Sequence, residues 1–326
     1  MRASAVLAIA SVIAALPLRA AMDGKVVNGT SGQPQAGVII SLMQPGQGGM
    51  QTLSTVKTAA DGAFHFDAQP VGMHVVQAIY DGVVYTEAVP PGSPSNNLTV
   101  NVYEPTAKRD TAKLNEHLVV LQPGPQQMAV SEDLLFTNPT KLTFSDPVNG
   151  SAKIWIPDGG RDGVTCTVTS PGGMPIQRDL VKTKEPGVYV IDYPLKPGDT
   201  RFEISYNLPS AQPQIFESRV LDKLMPLRLV VPPGITLTGD NVQPLGQEPT
   251  TQATIYNVAT DRFKVQVEGM AAAASTPGGE DAGVPQIHEG PPPVYARIWW
   301  IFGLSLFILV LGATLLYRRG DPAEKR

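Results

Sequence analysis

The most informative segment of the chain reads Ala60-Asp61-Gly62-Ala63-Phe64-His65-Phe66. Its Asp61-Gly62 pair predicts a tight turn, because glycine lacks a Cβ atom and adopts a positive φ without steric cost. One residue separates Phe64 from Phe66, so in an extended strand both phenyl rings lie on one face and His65 points the other way. The segment therefore predicts a turn followed by a half-buried strand.

Short apolar runs separated by turn residues continue on both sides of this segment, from residue 24 to about residue 103. One run, Val38-Ile39-Ile40-Ser41-Leu42, is rich in β-branched residues, and another, 74–80, alternates so that His74 faces inward. Turn signals bound these runs at Gln33-Pro34, Gln44-Pro45-Gly46, Gln69-Pro70-Val71-Gly72 and Asp81-Gly82. The pattern indicates a chain of short strands joined by tight turns.

Several of these motifs resemble the carboxypeptidase regulatory-like domains and their transthyretin-like and Cna-B-like relatives. The motifs are Gly24-Lys25-Val26-Val27-Asn28, Gly32-Gln33-Pro34, Gly37-Val38, the segment from Thr58 to Phe66, and Pro70-Val71-Gly72. The resemblance implies a seven-stranded Greek-key sandwich over residues 22–104 that serves as a binding, spacer or stability module. It does not imply peptidase activity, because the catalytic zinc domain of that family is a separate module.

Two residues depart from the pattern of that family. Gln69 stands where the family usually has an aliphatic residue, and His74 stands where it usually has tyrosine. The resemblance then implies a less tightly packed core at that corner of the domain.

A second strand-rich region, 117–269, follows a polar stretch at 104–116. Its strand-like runs are 118–121, 153–156, 164–168, 188–191, 202–206 and 227–231. No helical period of comparable length occurs, which favours a second antiparallel sandwich. A small strand unit at 236–267 either belongs to this region or stands alone. The predicted fold class is all-β, with two Greek-key or Ig-like β-sandwich domains plus one C-terminal transmembrane helix.

Residues 1–20 have the layout of a secretory signal peptide. Arg2 precedes an apolar run, and the small residues Ala20 and Ala21 follow it. Leu18 occupies a position where signal peptidase prefers a small residue, so an uncleaved anchor remains the alternative. Near the other end, residues 270–297 are rich in alanine, proline and glycine and are expected to form a linker.

Residues 298–317 form a run of 20 residues without a charge, and as a helix they match the thickness of a bilayer core. The residues expected at the membrane interfaces are Trp299, Trp300, Tyr317, Arg318 and Arg319. More basic residues follow the span than precede it, which places the tail 318–326 in the cytoplasm. We therefore expect a single-pass type I protein of the cell membrane with a periplasmic or extracellular ectodomain.

The composition excludes several classes of function. Only 17% of residues are charged, and the chain holds 31 glycines and 31 prolines, which is typical of a turn-rich protein and excludes a coiled coil. The predicted ectodomain, 22–296, has 18 basic and 27 acidic residues, a net charge of −9. Such a surface repels nucleic acid, so no nucleic-acid partner is expected.

Catalytic motifs are missing from the sequence. Cys166 is the only cysteine, which excludes an intramolecular disulfide and a thiolate metal cluster, and its alternating neighbours predict a buried strand thiol. His65 and His74 are predicted to point to opposite sides. Residues 158–163 resemble the start of a calcium loop, but the twelfth position is Thr169 where a bidentate glutamate is needed, which favours a hairpin turn. We therefore expect no enzymatic activity, and no catalytic, cofactor or metal site.

Two functional hypotheses remain. The first is a non-enzymatic, membrane-anchored envelope protein whose exported domains bind a protein partner or serve as an accessory or scaffold subunit of a membrane complex. The alternative is a cell-surface carbohydrate-binding module that stacks glycan on Tyr80, Tyr85, Tyr103 or Trp155. Aromatic residues make up only 6% of the chain and mostly alternate as core residues do, which favours the first hypothesis.

Overall fold

The computed structural model describes residues 22–46, 49–68, 72–221 and 227–269. Over these ranges the chain is all-β, with two short 3-10 helices at Arg109–Thr111 and Asp158–Gly160. Among the same residues, none of the helices is long and apolar enough to cross a bilayer.

Several sequence predictions lie outside the described residues. They are the signal peptide 1–20, the linker 270–297, the transmembrane helix 298–317 with its interface residues Trp299, Trp300, Tyr317, Arg318 and Arg319, and the tail 318–326.

The N-terminal part of the described chain folds into two four-stranded sheets. Its strands are β1 (Met22–Asn28), β2 (Gln33–Pro34), β3 (Ile39–Gly46), β4 (Gly49–Lys57), β5 (Ala63–Phe66), β6 (His74–Tyr80), β7 (Val83–Val89), β8 (Leu98–Val102) and β9 (Pro105–Thr106). In the first sheet β1 pairs antiparallel with β2 and β5 and parallel with β8. The second sheet has the antiparallel order β4-β3-β6-β7. Strand β9 pairs outside both sheets.

The inward faces of these two sheets share one hydrophobic core. The Phe64 and Phe66 rings lie on the same face with their centroids 5.6 Å apart, and both are buried. They belong to a single cluster with Ile40 and Ala78 of the opposite sheet. The His65 side chain is 57% exposed and His74 is buried, which confirms the predicted facing of both histidines. This arrangement is consistent with a β-sandwich.

The C-terminal part contains a larger sheet and several small ones. Its strands are β10 (Lys113–Pro123), β11 (Gln127–Asn138), β12 (Thr143–Phe144), β13 (Ala152–Trp155), β14 (Thr165–Thr169), β15 (Ile176–Gln177), β16 (Val181–Lys182), β17 (Val188–Ile191), β18 (Gly198–Pro209), β19 (Gln214–Arg219), β20 (Leu227–Val231), β21 (Ile235–Thr238), β22 (Val242–Gln247), β23 (Thr254–Val258) and β24 (Arg262–Gly269). The large sheet has eight strands in the order β15-β14-β18-β11-β10-β20-β23-β22.

Two three-stranded sheets, β13-β17-β16 and β19-β24-β21, contribute to the same core as the large sheet. Ile154 comes from one of them and Val265 from the other, while Phe202 comes from the large sheet. The unit at 236–267, left open by the sequence, therefore belongs to this region, since β23 lies in the large sheet and β21 and β24 lie in a covering sheet. Cys166 is buried in β14, as predicted.

The hairpin turn predicted at 158–163 is wrong. Strand β13 before it pairs with β17, and β14 after it pairs with β18, so the segment crosses from one sheet to another. A short 3-10 helix at Asp158–Gly160 lies in this crossing. The proline and glycine residues of this segment predict correctly that the strand ends here. They do not predict which sheet the next strand joins.

A small set of hydrogen bonds joins the two parts of the chain. The Tyr85 hydroxyl donates to the Tyr103 carbonyl at 2.8 Å and lies 2.8 Å from the Thr143 hydroxyl, and both Tyr85 and Thr143 are buried. Beside this contact, β9 and β12 form a two-residue parallel ladder. Thr30 adds a further bond from its hydroxyl to the Lys141 carbonyl.

The turn at Asp61-Gly62 gives a test of the fold. Gly62 has φ +74, and a Cβ atom there would lie 2.6 Å from the Val26 carbonyl oxygen. Gly82 has φ +77, but a Cβ atom there meets nothing within 4 Å. We expect Gly62→Ala to cost on the order of 3 kcal/mol in urea unfolding, and Gly82→Ala only about 1 kcal/mol, because the second change adds backbone strain without a clash. If both variants lost the same free energy of unfolding, the contact of this turn with β1 would contribute nothing to stability.

Candidate binding cleft

The outer face of the sheet β4-β3-β6-β7 carries an exposed apolar row. Ile39 of β3 is directly paired with Ile79 of β6, and Ile79 is directly paired with Val84 of β7. The three residues are 45%, 38% and 39% exposed. A pleated strand directs alternate side chains to opposite faces, so these residues point away from the core formed by Ile40, Ala78 and their neighbours.

Two further rows complete this face. Ser41, Gln77 and Thr86 form a polar middle row, and Met43, Val75 and Ala88 form a second apolar row. The second apolar row and Val84 line a cleft of about 500 Å³. The exposed row is therefore continuous with the cleft through Val84.

The opposite wall of the cleft comes from the C-terminal part of the chain. Met174, Ile176 and Pro194 contribute apolar surface, and Met50 of β4 closes the other side. Met50 and Met174 are 40% and 46% exposed. The cleft is thus lined mainly by apolar side chains from both parts of the chain, which is the usual composition of a ligand or partner pocket.

Two cations also line the cleft. The Lys196 ammonium lies 5.2 Å from the Tyr85 ring centroid, and the Arg178 guanidinium lies 5.4 Å from the Tyr193 ring centroid. Both distances fit cation–π contacts. Lys196 is only 9% exposed. Burial, together with the nearby positive charge of Arg178, lowers the pKa of Lys196 to about 8.

Neither cation has a carboxylate partner within the described part of the chain. Asp192 lines the same cleft, yet none of its oxygens lies within 4.0 Å of the Lys196 or Arg178 nitrogens. Buried charges in proteins are usually paired or bound to a ligand. The cleft is therefore apolar on its walls and positively charged at Lys196 and Arg178.

A second polar cluster lies in the core of the C-terminal part. The Tyr206 hydroxyl donates to one Glu132 oxygen at 2.6 Å, and the other Glu132 oxygen lies 3.0 Å from His117 Nε2. All three side chains are buried. Burial and the neighbouring Glu132 raise the pKa of Tyr206 well above its ordinary value. Both carboxylate oxygens are therefore occupied by protein groups, and Glu132 links two strands of the large sheet to its third.

Sequence reasoning missed both groups of residues. Lys196 precedes Pro197 and Gly198, so its local sequence indicates only a turn, and Arg178 follows a short edge strand, so their approach depends on the tertiary fold. Glu132 carried a clear signal, because it occupies an inward position of β11 between Val130 and Leu134. A charged residue within such a row of apolar positions indicates a buried polar partner.

The residues proposed for glycan stacking are not exposed. Tyr85 and Trp155 are buried, and Tyr80 and Tyr103 are half-buried against the N-terminal core. His65 and His74 lie in different sheets. Among the described residues, no group of three or more His, Cys, Asp or Glu side chains is placed to hold a metal ion.

A scan against protein-family models finds no match to the chain, and a search of curated proteins finds no significant match.

The Lys196 site predicts a specific dependence of stability on pH. The pKa of Lys196 is about 8 in the folded chain and near its ordinary value of 10.5 in the unfolded chain. Between these pH values the unfolded chain binds more protons, so Lys196 makes the free energy of unfolding rise with pH. We expect Lys196→Met to be more stable than the parent chain at pH 7, with the difference closing as the pH approaches 10.5.

Urea unfolding at several pH values between 7 and 10.5 measures this effect, with Lys153→Met at an exposed position as the control. A constant difference between Lys196→Met and the parent across that range would contradict the prediction.

The buried cluster predicts strong coupling between its members. Glu132→Leu leaves His117 and Tyr206 without their partner, and we expect a loss on the order of 3 kcal/mol in the free energy of unfolding, because two buried polar groups lose a hydrogen bond. Tyr206→Phe should cost much less in the Glu132→Leu background than in the parent chain, because the hydroxyl has already lost its acceptor. Denaturant unfolding of the two single variants and the double variant measures this coupling. Additive losses would contradict it.

Proposed function

We propose that this chain is a non-enzymatic, membrane-tethered envelope protein whose exported β-domains bind a protein partner, as an accessory or scaffold subunit of a membrane complex. The predicted signal peptide, linker and transmembrane run support the location. The ectodomain would be periplasmic or extracellular, and the tail would be cytoplasmic. The absence of catalytic motifs from the sequence supports a binding role.

The observation that carries this proposal is the exposed apolar row Ile39–Ile79–Val84 and its continuity with the cleft. Large apolar side chains scattered singly on a surface need no explanation, whereas contiguous exposed apolar surface favours an interaction site. Three directly paired residues, each more than a third exposed, form such a row. Covering them with a partner would remove apolar surface from water, which is the main favourable term in association.

The proposal includes the domain types. The two sheets that share one core over residues 22–104 support a Greek-key sandwich of the carboxypeptidase regulatory-like type. The eight-stranded sheet with its two covering sheets supports an Ig-like or Greek-key arrangement over 117–269.

The carbohydrate-binding alternative has weaker support. Stacking of a sugar ring requires an exposed aromatic face. Tyr85 and Trp155 are buried, and the hydroxyl of Tyr85 is occupied by Tyr103 and Thr143. A glycan array probed with the full chain is expected to show no binding.

Site-specific photo-crosslinking in native membranes tests the proposal. A photoreactive phenylalanine analogue at Ile79 is expected to give one discrete adduct with a membrane or envelope protein. The same probe at Asn101, which is exposed on the outer face of the other sheet, is expected to give none. Ile39→Asp combined with the Ile79 probe should abolish the adduct, because an aspartate in the row opposes burial of its neighbour. No adduct at Ile79, or the same adducts at both positions, would overturn the proposal.

A further inference from the structure

The cleft beside the apolar row has a charge pattern that partner binding through that row does not require. Among the described residues neither Lys196 nor Arg178 has a carboxylate partner there, and the predicted ectodomain has a net charge of −9. That ectodomain has 27 acidic residues and 18 basic ones, so carboxylates that could pair with a cation are abundant in it. The two cations instead face a cavity.

We propose that this cleft binds a monoanionic carboxylate that carries an apolar chain, with Lys196 and Arg178 on the carboxylate and the methionine-lined walls around the chain. The inference goes beyond partner binding by the outer face, since it assigns a ligand to the cleft itself.

The charge of the ligand follows from the lining. Lys196 and Arg178 supply two positive charges, and Asp192 supplies one negative charge, so the lining has a net charge of +1 when Lys196 is protonated. A single negative charge matches this balance, whereas a doubly charged phosphate group would exceed it by one charge and would be repelled by Asp192 about twice as strongly. Arg178 also offers the planar pair of N–H donors that suits a carboxylate.

The apolar part of the ligand follows from the walls. Met43, Met50 and Met174 line the cleft together with Val75 and Ile176. Methionine side chains adapt to ligands of different shape because they are unbranched and polarizable. The volume of about 500 Å³ lies in the range of small-molecule pockets and leaves room for a short alkyl chain or a few residues of peptide.

The position of Lys196 explains why binding would be favourable. Burial and the positive charge of Arg178 together lower the pKa of Lys196 to about 8, which means that its charged form is held in an unfavourable environment. A bound carboxylate would compensate both cations at once. Ligand binding should therefore raise the pKa of Lys196 and should weaken as the pH rises above about 8.

Two classes of molecule carry a monoanionic carboxylate on an apolar chain. One is a free alkyl carboxylate, and the other is the C-terminal carboxylate of a polypeptide that ends in apolar residues. Both present one negative charge directly attached to an apolar chain. The test contains an arm for each source.

Isothermal titration of the full chain in nanodiscs tests the inference with hexanoate and with the acetylated peptide Gly-Ala-Leu-Val bearing a free C-terminus. Hexanol and the same peptide as its C-terminal amide are the neutral controls. We expect at least one carboxylate to bind at a single site, with its neutral control binding at least tenfold more weakly. Lys196→Met and Arg178→Gln should each weaken binding at least tenfold, and Lys153→Met should leave it unchanged.

Binding of hexanoate alone assigns the free carboxylate as the source, and binding of the peptide alone assigns a polypeptide C-terminus. Binding of both supports the shared carboxylate chemistry. Failure of both ligands, equal binding of the neutral controls, or binding unaffected by both Lys196→Met and Arg178→Gln would overturn the inference. The titration contains no partner protein, so its failure would leave the crosslinking result at Ile79 as a separate test of the proposed function.

Discussion

The buried hydroxyl of Tyr85 is the contact on which the arrangement of the cleft depends. It belongs to the N-terminal core, yet it lies 2.8 Å from both the Tyr103 carbonyl and the Thr143 hydroxyl. The ring of the same residue faces the Lys196 ammonium. One side chain therefore joins the two parts of the chain and also forms the surface against which the cation is held. Because buried polar groups are costly to leave unpaired, this contact helps to hold the two walls of the cleft together, along with the β9–β12 ladder and the Thr30–Lys141 hydrogen bond.

The sequence predicted the strands near Asp61-Gly62 well because their signals are local. Alternation placed Phe64 and Phe66 in the core and His65 in solvent, and those facings depend only on the geometry of an extended strand. Strand partners were less predictable, as the crossing at 158–163 illustrates. A turn signal reports that the chain changes direction, whereas the choice between β17 and β14 as the partner of β13 is made by the packing of distant residues.

The cleft could not be predicted from the sequence for a similar reason. Tyr85, Arg178 and Lys196 are separated by many residues and come from a strand and two loops, and none belongs to a motif. The apolar outer face did leave a trace, since β6 has Val75 and Ile79 at the positions that alternate with its core residues Val76 and Ala78. Apolar residues on both faces are typical of a strand that is covered on both faces. Val75 is already buried, whereas Ile79 remains 38% exposed.

The burial of Cys166 has a practical consequence. Burial raises the pKa of its thiol to about 11, so little of the reactive thiolate exists at neutral pH. Because it is the only cysteine in the chain, a cysteine introduced at an exposed position would be the sole rapidly labelled site, with the native residue left in place. Spin labels or fluorophores can thus be attached along the apolar row one position at a time, and distances across the cleft can be followed with and without added ligand.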